Sequence, residues 1–446
     1  MAVIQSIAQR ALIACANTSD PNFKELTKAF ASAGLRALPA SKSQFADVGL
    51  IDLRSRALNA RERQKVIAAL RRNSPSISIL FLVSPKMAAS SRSELRQQGE
   101  FVITEDQLAH VVTRIKEIIR LRNFVEETGE RLKTLATLGR LVEFPTIETR
   151  DDPKKILIVG SPSPLTIAAF NKVRSVAEHA YFVLSAGQVL RALERDHFDC
   201  IVVLPLATSA PTYSALRAIQ RHPQYAHIVV IYIGDAIDEI CDFTRKGARE
   251  FLLSDQIDQD LAPRINLAIR RARLTKSMRT FLSTCTGENI RDKASGAFTA
   301  RFLTEHGARI FERADQTRCP LSLIYIVLQN EADASAPSRK ALQSATRLIN
   351  RVIRAEDIAA RVGPGKYVIL TPATRRSDAL AIAKRVKGIV ANSAFHKSGS
   401  TTPETLTART SAVERLSGQS VEEVLAAAIK TLGAGTTKTP RQQSPQ

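Results

Sequence analysis

The 446-residue chain has no tryptophan, three methionines and only 5% aromatic residues. It therefore has few flat rings on which single-stranded bases could stack. It offers no run of eighteen uninterrupted apolar residues, the length a bilayer demands of a spanning helix. Met1 to Arg10 lacks a charged segment followed by an apolar stretch and a small-residue cleavage site, so a cytoplasmic protein is expected. The five cysteines (Cys15, Cys200, Cys241, Cys285, Cys319) are odd in number, scattered and never spaced C-x-x-C. That pattern argues against a disulfide framework and a zinc site, and they read as small core hydrophobes. Of seven histidines only His222 and His227 lie near each other, flanking Pro223-Gln224-Tyr225, so no metal held by histidine is expected. Acidic residues are the scarcer charge: 43 against 64 Lys and Arg, a net +21. Such a surface attracts anions, whether nucleic acid, nucleotides, anionic lipid or acidic protein, and charge alone does not choose among them.

What is present is enough apolar material, 44%, to bury several cores, and about three domains at roughly 150 residues each. From Arg10 to Arg122 short apolar runs alternate with amphipathic stretches: Val48 to Leu53, Arg61 to Arg72, Ile77 to Val83, Ser91 to Gln98 and Gln107 to Arg122 among them. This alternation implies a parallel, doubly wound sheet. The order recurs from Lys155, through Ile156 to Val159, Thr166 to Ala177, Cys200 to Leu204, Tyr213 to Gln220, Ile228 to Ile233, Ile237 to Lys246 and Asp260 to Arg273, so the chain contains an internal α/β repeat. Between the copies, Gln107 to Val142 is almost free of Gly and Pro, and Val111, Ile115, Ile118, Ile119, Leu121 and Val125 recur at mostly three and four residues. This pattern predicts a helix that runs on as a stalk and supports self-association. Phe144 to Lys155 reads as a linker. A third domain runs from about Gly296 to Leu432, and in it the strand-like runs Ile358 to Val362 and Tyr367 to Leu370 flank Gly363-Pro-Gly-Lys366, a β-hairpin.

The two repeats resemble receiver domains of response regulators. The third domain resembles a GGDEF domain: Arg354-Ala-Glu-Asp357 followed by Gly363-Pro-Gly-Lys-Tyr367 is similar to the family's R-x-x-D inhibitory site and hairpin, and Asp292 to Leu303 stands where the family has D-x-L-T-G-x-x-N-R-x-x-L. Together they resemble the PleD/PopA type of response regulator, receiver-receiver-GGDEF with a degenerate last domain. The resemblance implies two tandem flavodoxin-like receiver domains followed by an α+β nucleotidyl-cyclase-like domain. Its boundaries are 1–125 for the first receiver with its extended helix, 126–153 for stalk and linker, 154–282 for the second receiver, 283–433 for the GGDEF domain and 434–446 for a disordered tail.

The departures from the family pattern shape the functional expectation. Active members carry an acidic pair in the hairpin, and here those positions read Gly365 and Lys366, neither of which ligates Mg²⁺. The metal-binding Asp of the first strand aligns with Val327 or Leu328, and the guanine-contacting Asn with Thr299. The resemblance thus implies no enzyme, no metal and no cofactor. What it implies instead is a cyclic di-GMP site made by Arg354, Asp357 and Arg385. Arg354 lies nine residues before Gly363 and Arg385 twenty-two after it. Arginine forks pair with phosphate or guanine O6 and N7, and a carboxylate accepts from guanine N1 and N2. Arg375-Arg-Ser-Asp378 reads as a chance repeat of the same pattern.

In the receivers, Asp52 is the candidate phosphoacceptor, or else a residual strand-end carboxylate. Cys15, Ala16 and Asn17 stand where its acidic cluster belongs, and Thr104 where the Lys belongs. The second copy has Gly160-Ser161, Leu204 and Ser254 at those positions. The resulting expectation is a cyclic di-GMP effector or adaptor, a homodimer, that recruits an adaptor or cell-cycle regulator for proteolysis at a cell pole. A ligand-independent scaffold and a residual diguanylate cyclase are the alternatives. The basic stretch Arg270 to Arg279 has no helix-turn-helix or finger context, so no nucleic acid partner is expected.

Overall fold

The computed structural model of the chain describes residues 12–16, 22–32, 35–39, 46–54, 58–74, 77–84, 91, 94–95, 101–104, 108–143, 153–205, 214, 218–219, 225, 228–235, 250–285, 287, 289–317, 319–396 and 403–434. Most of Ser91 to Gln98 and Tyr213 to Gln220, all of Ile237 to Lys246, and Asn17, His222, His227 and Cys241 lie outside the described residues.

Two parallel five-stranded sheets and one antiparallel sheet carry the fold. In the first, β1 (Leu12–Ala16), β2 (Arg36–Pro39), β3 (Val48–Asp52), β4 (Ser78–Val83) and β5 (Phe101–Thr104) lie in the order β2-β1-β3-β4-β5. Strand β3 is buried along its whole length, as continuous apolar runs in a sheet covered on both faces must be. Helices α1 (Asn22–Ser32) and α3 (Leu108–Thr137) cover one face through Leu26, Phe30, Val111, Ile115 and Ile118. Helix α2 (Ala60–Asn73) covers the other with Ile67 and Leu70, and its start is closed by a reciprocal Asn59–Glu62 capping box.

The second sheet repeats the plan. Strands β6 (Lys155–Val159), β7 (His179–Val183), β8 (Cys200–Val203), β9 (Val229–Gly234) and β10 (Glu250–Leu253) take the order β7-β6-β8-β9-β10. Helices α4 (Pro164–Arg174) and α6 (Ala262–Thr284) cover one face, and α5 (Ala186–Arg195) packs on the other. Both sheets therefore have the 2-1-3-4-5 order of flavodoxin-like doubly wound folds.

By contact, the chain divides into two compact units. One holds Ala11–Leu121 and Thr146–Ser277, the other Arg122–Pro145 and Met278–Gln446. The division falls inside α3 and inside α6. Of the stripe expected to pair copies of the stalk, Val111, Ile115 and Ile118 belong to the core of the first sheet and Ile119 packs against it. From Phe124 onward, α3 packs in the second unit instead.

That unit is built on a sheet in the order β12-β13-β11-β15-β14, with every pairing antiparallel: β11 (Leu321–Asn330), β12 (Ile358–Gly363), β13 (Lys366–Pro372), β14 (Ala394–Phe395) and β15 (Glu404–Glu414). Helices α8 (Arg339–Val352) and α9 (Arg376–Ala391) share one core with Ile324, Ile326, Leu328, Tyr367 and Ile369. Helices α7 (Ala300–Thr317) and α10 (Val421–Ala434) complete the domain. Cys15, Cys200 and Cys285 are buried thiols, as expected of small core residues, and Cys319 is half-buried. Among the described residues no helix is long and apolar enough to cross a membrane.

The β12–β13 hairpin turns at Gly363 to Lys366, and Gly365 has φ +64°. A Cβ there would stand 2.4 Å from the Leu328 carbonyl oxygen, while the Gly365 carbonyl accepts from the Leu328 N–H at 2.7 Å. Glycine is required on both counts. Gly365→Ala is expected to destabilise the C-terminal domain by about 2 kcal/mol, read as a lowered midpoint of its urea transition. An unchanged midpoint contradicts the close approach.

Candidate functional site

Helix α8 ends where Ile353 N–H reaches the Ile349 carbonyl, and the chain then turns back into β12. The turn is Arg354-Ala-Glu-Asp357. Asp357 N–H donates to the Arg354 carbonyl at 3.1 Å, and the Asp357 Oδ2 accepts from the Arg354 N–H at 2.8 Å. The carboxylate thus fastens the turn from inside. It is 4% exposed, and its Oδ1 is buried without a hydrogen-bond partner. Burial, with added repulsion from Glu356 and Glu127, pushes its pKa up to about 7 against the pull of the Arg354 N–H and guanidinium.

The side chain of Arg354 is exposed, as is that of Arg385 on α9. Helices α8 and α9 share one core; Arg354 follows the end of α8 and Arg385 lies on α9. Among the described residues no hydrogen bond or ion pair joins Arg385 to Arg354 or Asp357. Within the turn, the Arg354 N–H and the Asp357 carboxylate are hydrogen-bonded.

The hairpin side is different. Lys366 is exposed and lies opposite Val327 in the β11–β13 register. The end of β11 continues Leu328-Gln329-Asn330. Arg361 holds the turn from behind, with Nε on the Gly363 carbonyl at 3.2 Å and Nη1 on both Asp292 oxygens at 3.1 Å. Asp292 is held below its usual range: its burial opposes this, and Ser295 and Arg361 outweigh that opposition. No carboxylate stands at Gly365, Lys366, Val327 or Leu328, and an ammonium repels a divalent ion, so these positions do not fit Mg²⁺. Thr299 is a helix cap: its Oγ1 donates to the Asn289 carbonyl at 2.8 Å and accepts from Phe302 N–H at 3.1 Å, at the start of α7.

Asp52, 4% exposed at the end of β3, is engaged by Arg54. Oδ1 accepts from the Arg54 backbone N–H and from Nε, both at 3.0 Å, and Oδ2 accepts from Nη2 at 2.8 Å. Neighbouring Cys15 has its thiol pushed up to about 12 by burial and by Asp52. In the second sheet, Leu204 packs so closely under Gly160 that a Cβ there would meet it at 2.9 Å.

A polar cluster near the Arg354–Asp357 turn escapes a reading of motifs. Glu127, Arg131 and Thr134 lie on one face of α3 at spacings of four and three. Glu127 Oε1 accepts from Arg131 Nη2 at 3.0 Å and pairs with His306 Nε2 at 2.8 Å, and His306 Nδ1 meets the Thr134 hydroxyl at 2.9 Å. Glu127 and His306 are wholly buried. Burial alone would raise Glu127, yet His306, Arg131 and Arg313 hold it down at about 2. Burial lowers His306 against the attraction of Glu127, while the Thr134 hydroxyl also donates to the Glu130 carbonyl at 3.0 Å. The available signal was the placement of Glu127, Thr128, Arg131 and Thr134 on the same stripe as Phe124 and Leu135.

Residues 338–437 match the family described as "Diguanylate cyclase, GGDEF domain". A stretch of 150 residues is 27% identical to the response regulator PleD of Caulobacter vibrioides, covering 32% of this chain and 33% of PleD. The chain thus spans about a third of the length of that curated relative. Among solved structures, the GGDEF domain of DgcB from Caulobacter crescentus in complex with c-di-GMP is 15% identical, with a TM-score of 0.31 over 34% of this chain and 91% of that one. The active GGEEF domain of a diguanylate cyclase from Vibrio cholerae is 20% identical, with a TM-score of 0.25 over 29% and 84%.

The family match corrects one expectation. The chain was expected not to be an enzyme, but residues 338–437 match a family named for a reaction, and the match runs through the hairpin. Missing carboxylates at one turn describe how that turn treats a cation, not whether the domain turns over a nucleotide.

The buried Asp357 gives a pH signature. A carboxyl whose folded value is raised from 3.8 to about 7 contributes its stabilisation while protonated and loses it as pH rises toward 7. Asp357→Asn keeps an acceptor for the Arg354 N–H and carries no charge. Wild type should therefore lose up to about 4 kcal/mol relative to Asp357→Asn between pH 4 and 7.5, measured by urea unfolding across that range. A pH-independent difference would show that the carboxyl is not buried as described.

Proposed function

We propose that the C-terminal domain binds cyclic di-GMP at the Arg354–Asp357 turn, with Arg385 as a second cation, and that the chain acts as a signalling effector in that nucleotide's pathway. The observation that carries this reading is the turn itself: an exposed Arg354 guanidinium on a backbone fastened by Asp357, set just before the hairpin of a segment that matches the GGDEF family. A ligand with two phosphates and two guanines offers each fork a bidentate partner, and Asp357 is the acceptor for guanine N–H groups. The two parallel-sheet domains, in this reading, are receivers that serve as a platform for a protein partner, an adaptor or cell-cycle regulator.

Micromolar binding corresponds to about 8 kcal/mol. Removing one charge-assisted contact costs on the order of 1.5 to 3 kcal/mol, so Arg354→Ala should weaken binding roughly tenfold to a hundredfold and Arg375→Ala should do little. Calorimetric titration with cyclic di-GMP, GTP and GMP measures this. Equal affinity for all three, or no heat with the first, removes the reading.

A second reading, diguanylate cyclase activity, is favoured by the family description of residues 338–437. Chromatography of GTP incubated with the protein and Mg²⁺ tests it. Cyclic di-GMP that accumulates in proportion to protein establishes the activity.

For the receivers, Asp52 is expected to stay unmodified by acetyl phosphate and Mg²⁺ while Arg54 occupies both its oxygens. Intact-mass measurement that finds stoichiometric phosphorylation, lost in Asp52→Ala, would refute this.

A further inference from the structure

The turn that the proposed function assigns to the ligand is closed in this structure. Arg354 reaches solvent, but Asp357 is 4% exposed and its Oδ1 is sealed, so no ligand can touch its carboxylate without a rearrangement. Its turn partner is Arg354, and the C-terminal half of α3 reaches the same turn at Glu356. Arg131 on that helix donates from Nη2 to the Glu356 carbonyl at 3.4 Å and from the same nitrogen to Glu127. Glu127 lies near enough to add to the repulsion felt by Asp357.

This helix half is held mostly by polar groups. Its buried stripe is Phe124, Glu127, Thr128, Arg131, Thr134 and Leu135, in which only the two ends are large and apolar. Among the described residues, Glu127 Oε2, Arg131 Nε, Arg313 Nη1 and Asp357 Oδ1 are buried here without hydrogen-bond partners. Arg313 Nη1 and Glu127 Oε2 lie 3.9 Å apart, an ion pair too long for a hydrogen bond. An unmatched buried group regains its hydration when exposed, so such a seam opens more readily than an apolar one of equal area. On the far side, the Arg131 guanidinium lies 5.3 Å from the centre of the Phe298 ring, and Arg291 lies 3.7 Å from it. Burial and Arg131 together lower Arg291 to about 10, a sign that the cations are crowded.

We propose that the C-terminal half of α3 is a strap that closes the Arg354–Asp357 turn, so that ligand binding at the turn and release of this helix half are one linked equilibrium. The strap rests on the reading of that turn as the cyclic di-GMP site. It assigns Arg131 and Glu127 the part of positioning residues: they hold the turn's backbone and shield its carboxylate, and they touch no ligand. The linkage is reciprocal, since a ligand that needs Asp357 exposed must favour the released helix as much as release favours the ligand.

Hydrogen exchange by mass spectrometry on the full chain tests both halves, with cyclic di-GMP as the probe. Saturating ligand should speed exchange over residues 122–137 about tenfold. Arg131→Lys keeps the charge on a shorter side chain and loses the guanidinium Nη2 that donates to both Glu127 and the Glu356 carbonyl. Without ligand it should speed exchange over 353–358 about tenfold, and it should bind cyclic di-GMP about tenfold more tightly by calorimetry. Thr134→Val, which removes the partner of His306 Nδ1, serves in its place if Arg131→Lys unfolds by circular dichroism. Unchanged exchange at 122–137 in the saturated wild type, or unchanged exchange at 353–358 in both ligand-free variants, overturns the strap. If neither wild type nor variant binds cyclic di-GMP, the functional reading falls, and the ligand-free exchange still passes judgement on the strap alone.

Discussion

A carboxylate without access to water, Glu127, organises the C-terminal unit. An ionised buried carboxylate is tolerable only when donors surround it, and Glu127 has two within hydrogen-bond reach, His306 on α7 and Arg131 on its own helix. Meeting that demand fixes the rotation of α3 after Phe124, brings Thr134 to the second nitrogen of His306, and leaves Arg131 facing the turn at the start of β12. The same demand explains why the helix does not continue as a free stalk. Once Glu127 and Arg131 are paired on this side, exposing the stripe would return Phe124 and Leu135 to water.

The C-terminal domain carries two chemically different ends on one sheet. At the β12–β13 hairpin, glycine is imposed by a positive φ and by the Leu328 carbonyl, and the next side chain is a lysine. That end attracts anions and offers a cation nothing. At the α8–β12 turn, a carboxylate is used structurally, turned inward onto a backbone N–H while an arginine is turned outward. An exposed arginine at one turn and an exposed lysine at the other place positive charge at both ends of β12.

The parallel sheets show how little sequence a doubly wound core needs in order to persist. Both have the 2-1-3-4-5 order and helices on both faces, with Cys15, Gly160 and Leu204, none of them a carboxylate, at or near strand ends. Burial is satisfied by any apolar side chain of suitable volume, whereas a phosphoryl site needs particular charges. At Asp52 the remaining charge has found an internal partner in Arg54, two residues away, a pairing that no motif advertises.

Local chemistry was legible in the sequence. The alternation of short apolar runs with amphipathic stretches read as parallel sheets, the Gly363-Pro-Gly-Lys366 turn read as a hairpin, and Arg354-Ala-Glu-Asp357 read as a unit, because each depends on neighbours within a few residues. Tertiary structure alone decided that Asp357 faces inward, that Val111, Ile115 and Ile118 are spent on the first sheet, and that Glu127 and His306, 179 residues apart, are one buried pair. Those outcomes depend on which surfaces meet and how much water they exclude. A buried charge is costly or harmless according to a partner that the one-dimensional pattern does not name.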